Sequence, residues 1–159
     1  MNFVWLLILG GKIYLKDSFF QYWFKGFEKA ISDMDEKNSK MIFSQCGKAC
    51  SDSYTKQIYI DEYECSENIN DFLTRLKNRF PEIEFKIIKD NKIVLLTYHH
   101  CACDLVRKGY IKTPLLCECS RQSLLYNWET VIGKQNVKIN LLGSILNGDN
   151  CCEFEIHLK

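Results

Sequence analysis

The hydrophobic pattern of this chain changes its period at Pro81, and that change constrains the fold more than any other feature. Before Pro81, apolar residues recur at helical spacing, and proline, which cannot continue a helix, ends the stripe. After Pro81, residues 83–87 alternate apolar and polar side chains with the period of two that is typical of a β-strand. The chain therefore combines a helical part with a sheet-forming part.

The same periodicity predicts the other elements. Helical stripes indicate helices over residues 17–34, 36–51, 68–80 and 120–132, the last with Ser120 as its N-cap. Alternation predicts strands over 83–89, 93–98, 137–142 and 152–158, with turns at Asp90-Asn91-Lys92 and Asn147-Gly148-Asp149. The prediction is an α+β fold: a mostly antiparallel sheet of two hairpins packed against about four helices.

The length of 159 residues suits one hydrophobic core and is short for two ordinary domains. We therefore expect a single domain over 1–159, with a mainly helical layer in 1–80 and the sheet-forming half in 81–159. Lys and Arg number 21 against 20 Asp and Glu, a formal charge of +1. This balance gives no electrostatic reason to expect a nucleic-acid partner.

The apolar run over residues 3–9 bears on the compartment. It is too short to span a bilayer, no Lys or Arg precedes it, and no small-residue cleavage site follows it. We expect a buried strand or a docked N-terminal segment; a secretion or anchoring segment is the alternative. The expected setting is the cytoplasm, with no membrane partner and with reduced thiols.

Nine cysteines are the unusual feature of the composition, and an odd number excludes complete pairing within one chain. Four of them form two C-x-C pairs, Cys101 with Cys103 and Cys117 with Cys119, separated by thirteen residues. Zinc binds four thiolates tetrahedrally, usually as two close pairs joined by a longer loop. The sequence therefore predicts a zinc site formed by these four cysteines, although C-x2-C is the commoner spacing within a pair.

Other interpretations of the cysteines stay open. In a β-strand, C-x-C places both side chains on one face, which allows chelation, and His99 and His100 offer further nitrogen ligands. Alternatively, the thiols are small buried hydrophobic groups, or they are redox-active or nucleophilic. Cys46 and Cys50 lie one helical turn apart, with Gly47 between them to let another backbone approach. That pair could add ligands, form a redox pair or simply pack.

The C-terminal half resembles the vinyl-4-reductase-type domain, which is named after a bacteriochlorophyll 4-vinyl reductase. The resemblance lies in Thr113-Pro114-Leu115-Leu116-Cys117, in Trp128-Glu129-Thr130-Val131-Ile132-Gly133, in Val137-Lys138-Ile139, and in Gly148-Asp149 followed by Cys152-Glu153-Phe154-Glu155-Ile156. Cys117 and Cys152 match the cysteines of the family. The remaining clustered cysteines resemble a cysteine-rich, uncharacterised prokaryotic branch of it. The family is related in fold to haem–nitric-oxide-binding sensors and to TRAPP transport subunits.

The resemblance implies a small-molecule-binding or sensory module, in some members with proposed cysteine metal ligands. Together with the two C-x-C pairs, it leads us to expect a binding module with a zinc site, an apolar pocket for a small ligand and self-association as a homodimer. The alternative is a small hydrolase resembling 2-aminothiazoline-4-carboxylate hydrolase-like proteins. In it, Cys103 or Cys117 would be the nucleophile or a ligand of a metal that activates water.

Overall fold

The structure is a computed structural model that describes residues 7–9, 12–14, 17–89 and 92–159. It begins with a short antiparallel hairpin of β1 (Leu7–Leu9) and β2 (Lys12–Tyr14). The predicted N-terminal strand is therefore present over its last three residues, and residues 3–6 lie outside the described part. The turn predicted at Asp90-Asn91-Lys92 also falls largely outside it, since only Lys92 is described.

The helices of the N-terminal half follow in the order α1 (Asp17–Ser32), α2 (Glu36–Cys50), α3 (Lys56–Glu64) and α4 (Ile69–Arg79). Asp35 caps α2 by accepting a hydrogen bond from the backbone N–H of Asn38, and Asn68 caps α4 through the N–H groups of its first turn. No helix among the residues that the structure describes is long and apolar enough to cross a bilayer.

α2 and α3 form one continuous helical rod because a π-helical turn, Ser51–Thr55, joins them. A π turn adds a residue without ending the helix, so it changes which side chains face the neighbouring helix. Here it brings Ser51 and Thr55 toward Asn127, to which both hydroxyls are hydrogen-bonded. The rod is consequently tied to its neighbour at the irregular turn.

The C-terminal half contains the main sheet. Its strands are β3 (Ile83–Lys89), β4 (Ile93–Tyr98), β5 (Val137–Gly143) and β6 (Cys152–Leu158), all antiparallel in the order β3-β4-β6-β5. Both predicted hairpins and the α+β fold class are confirmed. β4 and β6 also pair with each other, from Ile93 opposite His157 to Tyr98 opposite Cys152. The hairpins therefore form one sheet.

Two helices connect the hairpins: α5 (Asp104–Arg107), a single turn, and α6 (Leu116–Ile132), which has 17 residues. α6 runs parallel to the α2–α3 rod, since Gly47 lies against Cys119 and Ser123, and Ser51 lies farther along against Asn127. One face of the sheet packs on α6, α3 and α4 around the fully buried Trp128. A second, smaller core of Ile31, Phe43, Ile111 and Leu116 lies between α1, α2 and the start of α6.

The structure differs from the sequence predictions at two helices, one that was not predicted and one that begins earlier than predicted. Residues 56–64, which carried no helix prediction, form α3; this helix buries Tyr59 but has a weak apolar stripe. α6 begins at Leu116 and not at Ser120, because a turn over residues 113–116 leads directly into the helix and Ser120 lies inside it. The first turn is held by short i to i+3 contacts, such as Cys117 N–H to the Pro114 carbonyl at 2.9 Å.

Candidate thiol site

The early start of α6 decides where the second C-x-C pair lies. In a strand, both side chains of such a pair would share a face, but Cys117 and Cys119 lie in the first turns of a helix. Residues two apart on a helix are rotated by about 200° around its axis, so their side chains point in opposite directions. Cys117 consequently faces the sheet and Cys119 faces α2, and the two thiols have different neighbours.

Cys117 is buried where α6 meets the connection between β5 and β6. Its sulfur lies 2.9 Å from the hydroxyl oxygen of Ser144, which itself is fully buried. The Ser144 hydroxyl also accepts a hydrogen bond from the Leu146 N–H at 3.1 Å, and the Asp149 carboxylate accepts one from the Ser144 N–H at 2.7 Å. The buried Cys152 sulfur accepts the Ile145 N–H at 3.4 Å. These contacts give Cys117 and Cys152 a structural role in this connection.

Cys119 lies on the opposite side of α6, at its closest approach to α2. A Cβ added to Gly47 would lie 2.7 Å from the Cys119 carbonyl oxygen and 2.7 Å from the Ser123 nitrogen. This confirms that Gly47 permits close approach of another backbone. Burial is the largest cause of the raised pKa of the Cys119 thiol, about 12, and neighbouring Cys46, Cys50 and Cys103 raise it further.

Cys103 occupies a central position among the predicted ligands. It immediately precedes α5, is partly buried and packs against the second core together with Cys119. Its thiol is close enough to Cys101, Cys117 and Cys119 to raise the pKa of each, although burial is the larger cause for all three. A backbone N–H of Cys103 also donates to the Cys101 sulfur. Cys103 thus interacts electrostatically with each of the other three members of the predicted set, and it packs with Cys119 against the second core.

The thiol pKa values bear on the redox alternative. Reactive thiol pairs are accessible and have a lowered pKa, because the thiolate is the nucleophile. The exposed pair Cys46 and Cys50 is accessible, but burial raises the pKa of Cys50, and Cys103 raises it further, against the lowering effect of a hydrogen bond with Ser123. The Cys50 thiol therefore keeps its proton at neutral pH and lacks the activation that a redox pair needs.

Zinc would suit these ligands chemically, since thiolates are preferred by a borderline-soft cation. The thiols lie near one another, yet no three His, Cys, Asp or Glu side chains in the described part of the chain are already placed to hold a metal ion together. Metal binding would therefore require side-chain rotation. The described polar contacts of the histidines are with other groups: His99 lies 3.3 Å from Glu84, and His157 lies 2.5 Å from Glu155 and 3.4 Å from Asn140.

Two surface depressions in the described part of the chain differ from a typical apolar ligand pocket. One, of about 90 Å³, is lined by Ser44, Lys48, Gln122, Leu125, Tyr126 and Glu129. Another, an open groove of about 430 Å³, is lined by Lys25, Glu28, Lys29, Ser32, Lys112 and Thr113. Ligand sites usually enclose about 300–1,000 Å³ with mostly apolar walls. The first depression is small, and the second is an open groove lined by charged and hydroxyl-bearing residues.

Sequence reasoning missed two features of this region. Ser144 was not identified, although it is fully buried between Cys117 and the turn before β6. The direct relationship of the α2 cysteines to Cys119 was also missed, although the glycine at position 47 indicated a close helix contact. A helix start shortly after Pro114 would have placed Cys119 on a helix, but the contact of that helix with α2 carries no local signal.

Comparison with known proteins leaves the family open. No protein-family model matches the chain, and no curated protein matches it. Among solved structures, it is similar to a trafficking protein particle complex subunit 3 from Naegleria fowleri, covalently bound to palmitic acid, with a TM-score of 0.46 and 13% identity. That likeness covers 90% of this chain and 95% of the other. A likeness this low carries no argument about function, and the vinyl-4-reductase-type resemblance stays a prediction.

Proposed function

We propose that this chain is a small binding or sensory module that holds zinc through thiols of its two C-x-C pairs. The shared packing of Cys103 and Cys119 carries the proposal, because these residues come from different C-x-C pairs and both contact the second core. Burial and the nearby thiols disfavour bare thiolates at Cys101, Cys117 and Cys119. A divalent cation would relieve this cost by replacing the thiol protons.

The sensory part of the proposal rests on the side-chain movement that zinc binding would need. The thiols are close but not assembled into a ligand set, so binding would reorient side chains at the edge of the second core. Cys103 and Cys119 both pack there, against the residues that join α1, α2 and α6. Zinc would therefore change the packing of the helical layer, which is how a metal can be read as a signal. The resemblance to a small-ligand-binding domain supports the same class of function.

The hydrolase alternative lacks a comparable observation. A cysteine nucleophile needs a general base, usually a histidine within hydrogen-bond distance. Among the described residues, no hydrogen bond or ion pair joins a histidine to a cysteine, and the Cys117 sulfur contacts Ser144 instead. The binding module is therefore the function that the arrangement supports best.

The test is elemental analysis of protein purified without oxygen and without chelator. The proposal expects about one zinc per chain in the wild type, less in Cys103→Ser, and a lower melting temperature after zinc removal, because binding energy adds to folding energy. Cys65→Ser provides the matched control, since Cys65 is an exposed thiol at the end of α3. Zinc absent from the wild type, with melting unchanged on zinc addition, would refute the proposal.

A further inference from the structure

The exposed side of α1 carries large aromatic side chains that the two cores do not bury. Ile31 and Phe24 belong to the second core, so the opposite side of the helix faces solvent. On that side Tyr22 is 76% exposed and Trp23 is 56% exposed, and the exposed Phe19 lies one turn before Trp23. Contiguous exposed apolar groups of this kind mark a surface that contacts a protein or a membrane.

Basic side chains flank the aromatic residues of α1. Lys25 and Lys29 are both exposed and lie one turn apart. Because successive residues of a helix are about 100° apart around its axis, Tyr22 lies between these lysines and the stripe of Phe19 and Trp23. The lysines and the aromatic rings therefore share the solvent-facing side of the helix.

The segment before α6 adds a third lysine to this surface. The Glu28 carboxylate accepts hydrogen bonds from the backbone N–H groups of Lys112, at 2.6 Å, and Thr113, at 2.7 Å. These bonds hold the segment against α1. Lys112 consequently borders the open groove of about 430 Å³ together with Lys25 and Lys29.

This surface carries positive charge that its own acidic residues do not use up. Lys29 is paired with Asp33 at 2.6 Å, and the Glu28 carboxylate is engaged by backbone N–H groups. Neither Lys25 nor Lys112 forms an ion pair with any residue that the structure describes. Two ammonium groups are thus available to an anionic partner, in a chain whose formal charge is only +1.

We propose that this side of α1 docks on the surface of a bilayer that contains anionic lipids. Tyrosine and tryptophan favour the membrane–water interface, where the ring is buried and its polar group stays hydrated, and lysines attract anionic head groups. A small anion would use the lysines alone and an apolar protein partner the rings alone, whereas an anionic lipid surface uses both. The inference is independent of the proposed zinc site. It revises the expectation of no membrane partner, which considered only spanning segments and the total charge.

Sedimentation of the full chain with lipid vesicles tests the proposal. The chain should bind phosphatidylcholine vesicles that contain about 30% phosphatidylserine at least about tenfold more tightly than vesicles of phosphatidylcholine alone. Raising NaCl to about 0.5 M should remove most of this difference, because salt screens the attraction between lysines and head groups. Equal affinity for the two kinds of vesicle, or no binding to either, would overturn the proposal.

A charge variant locates the lipid contact on the molecule. Lys25→Gln/Lys112→Gln should weaken binding to the anionic vesicles by about tenfold or more, since each lysine near the surface contributes to the attraction. The matched control is Lys86→Gln/Lys138→Gln, which removes two exposed lysines from β3 and β5 and should bind as the wild type does. An equal loss in both variants would show attraction by the total charge and would overturn the assignment to α1.

An aromatic variant distinguishes a bilayer from a second copy of the chain. Trp23→Ala should weaken vesicle binding by about fivefold or more, because the ring no longer enters the interface. Tyr54→Ala, at a 60% exposed position on the π turn, is the control and should bind normally. Melting curves check that each variant is folded. Vesicle binding unchanged by Trp23→Ala would overturn the proposal, as would a lipid-free dimer, seen by analytical ultracentrifugation, that dissociates in this variant.

Discussion

The Ser51 hydroxyl donates a hydrogen bond to the side-chain carbonyl oxygen of Asn127, and both residues are buried. The Asn127 amide nitrogen in turn donates to the Thr55 hydroxyl at 3.2 Å. Both hydroxyls lie on the π turn of the α2–α3 rod, whereas Asn127 lies on α6. One amide thus satisfies two hydroxyls that the irregular helix turns inward, and this polar contact fixes the rod against α6.

Asn127→Ala should lower the free energy of unfolding by about 2 kcal/mol, because it leaves the buried Ser51 hydroxyl without its acceptor. The double variant Ser51→Ala/Asn127→Ala should cost less than the sum of the two single variants, since both partners are then removed together. Urea unfolding of the four proteins measures the coupling. Additivity of the two changes to within about 0.3 kcal/mol would mean that the hydrogen bond contributes nothing.

Gly47→Ala should destabilise the protein by about 1–3 kcal/mol, although alanine is normally the better residue in a helix. The reason is the close backbone of α6, which a Cβ would meet at 2.7 Å. Gly26→Ala is the matched control: Gly26 lies in α1 with no atom within 4 Å of an added Cβ. That change should stabilise by about 0.5–1 kcal/mol. Thermal melts that moved in the same direction for both would contradict the close contact.

Trp128→Ala should cost about 3–5 kcal/mol, the range for truncating a large buried aromatic side chain. Trp128 is fully buried, and its ring contacts those of Tyr59 and Phe72 at centroid distances of 6.2 and 5.5 Å. Trp23→Ala, at a position where 56% of the residue is exposed, should cost less than about 1 kcal/mol. Chemical denaturation measures the free energy of unfolding of both variants. A similar loss in the two would show that Trp128 does not belong to the main core.

The main sheet and its core were predictable because their signals are local. Alternation along residues 152–158 correctly placed Phe154 inside with Ile156 and His157 on the opposite face, since a strand fixes the direction of every second side chain. The same reasoning correctly placed Trp128 and Leu124 in the core from their helical spacing. In these cases, neighbouring residues in the sequence carry all the information that the direction of a side chain requires.

The candidate site was less predictable because it depends on where one helix begins. Ser120 resembles an N-cap, but the helix starts four residues earlier, and the direction of Cys119 follows from that start. The contact of Cys119 with α2 depends further on the pairing of two helices separated by many residues. Local propensity cannot supply such a contact. The π turn was not predicted for a related reason. The hydroxyls of Ser51 and Thr55 find their hydrogen-bond partner, Asn127, on the distant helix α6.

The carboxyl group of Glu155 provides a test by pH. Hydrogen bonds with His157, at 2.5 Å, and from Asn140, at 3.3 Å, lower the pKa of Glu155 below its usual value of 4.5. Because the folded protein favours the carboxylate, this contribution to stability is complete above the ordinary glutamate pKa and is lost as the pH falls through the lowered one. Asn140→Ala should therefore raise the pKa of Glu155 toward 4.5.

Carbon-13 NMR of the glutamate side chains measures this pKa directly in both proteins. Asn150→Ala, an exposed position before β6, is the control and should leave the titration midpoint unchanged. A Glu155 midpoint that is the same in the wild type and in Asn140→Ala would show that the amide does not stabilise the carboxylate.

The place of β6 in the sheet has a consequence for how the protein is made. β6 lies between β4 and β5 and pairs with both, although it comes after them in the chain. During synthesis, β4 emerges from the ribosome with one edge lacking its partner, and that edge stays open to pairing with other chains until residues 152–158 follow. Folding of the sheet is thus delayed until translation has passed β6. A chaperone that shields β4 in this interval would raise the yield of native protein.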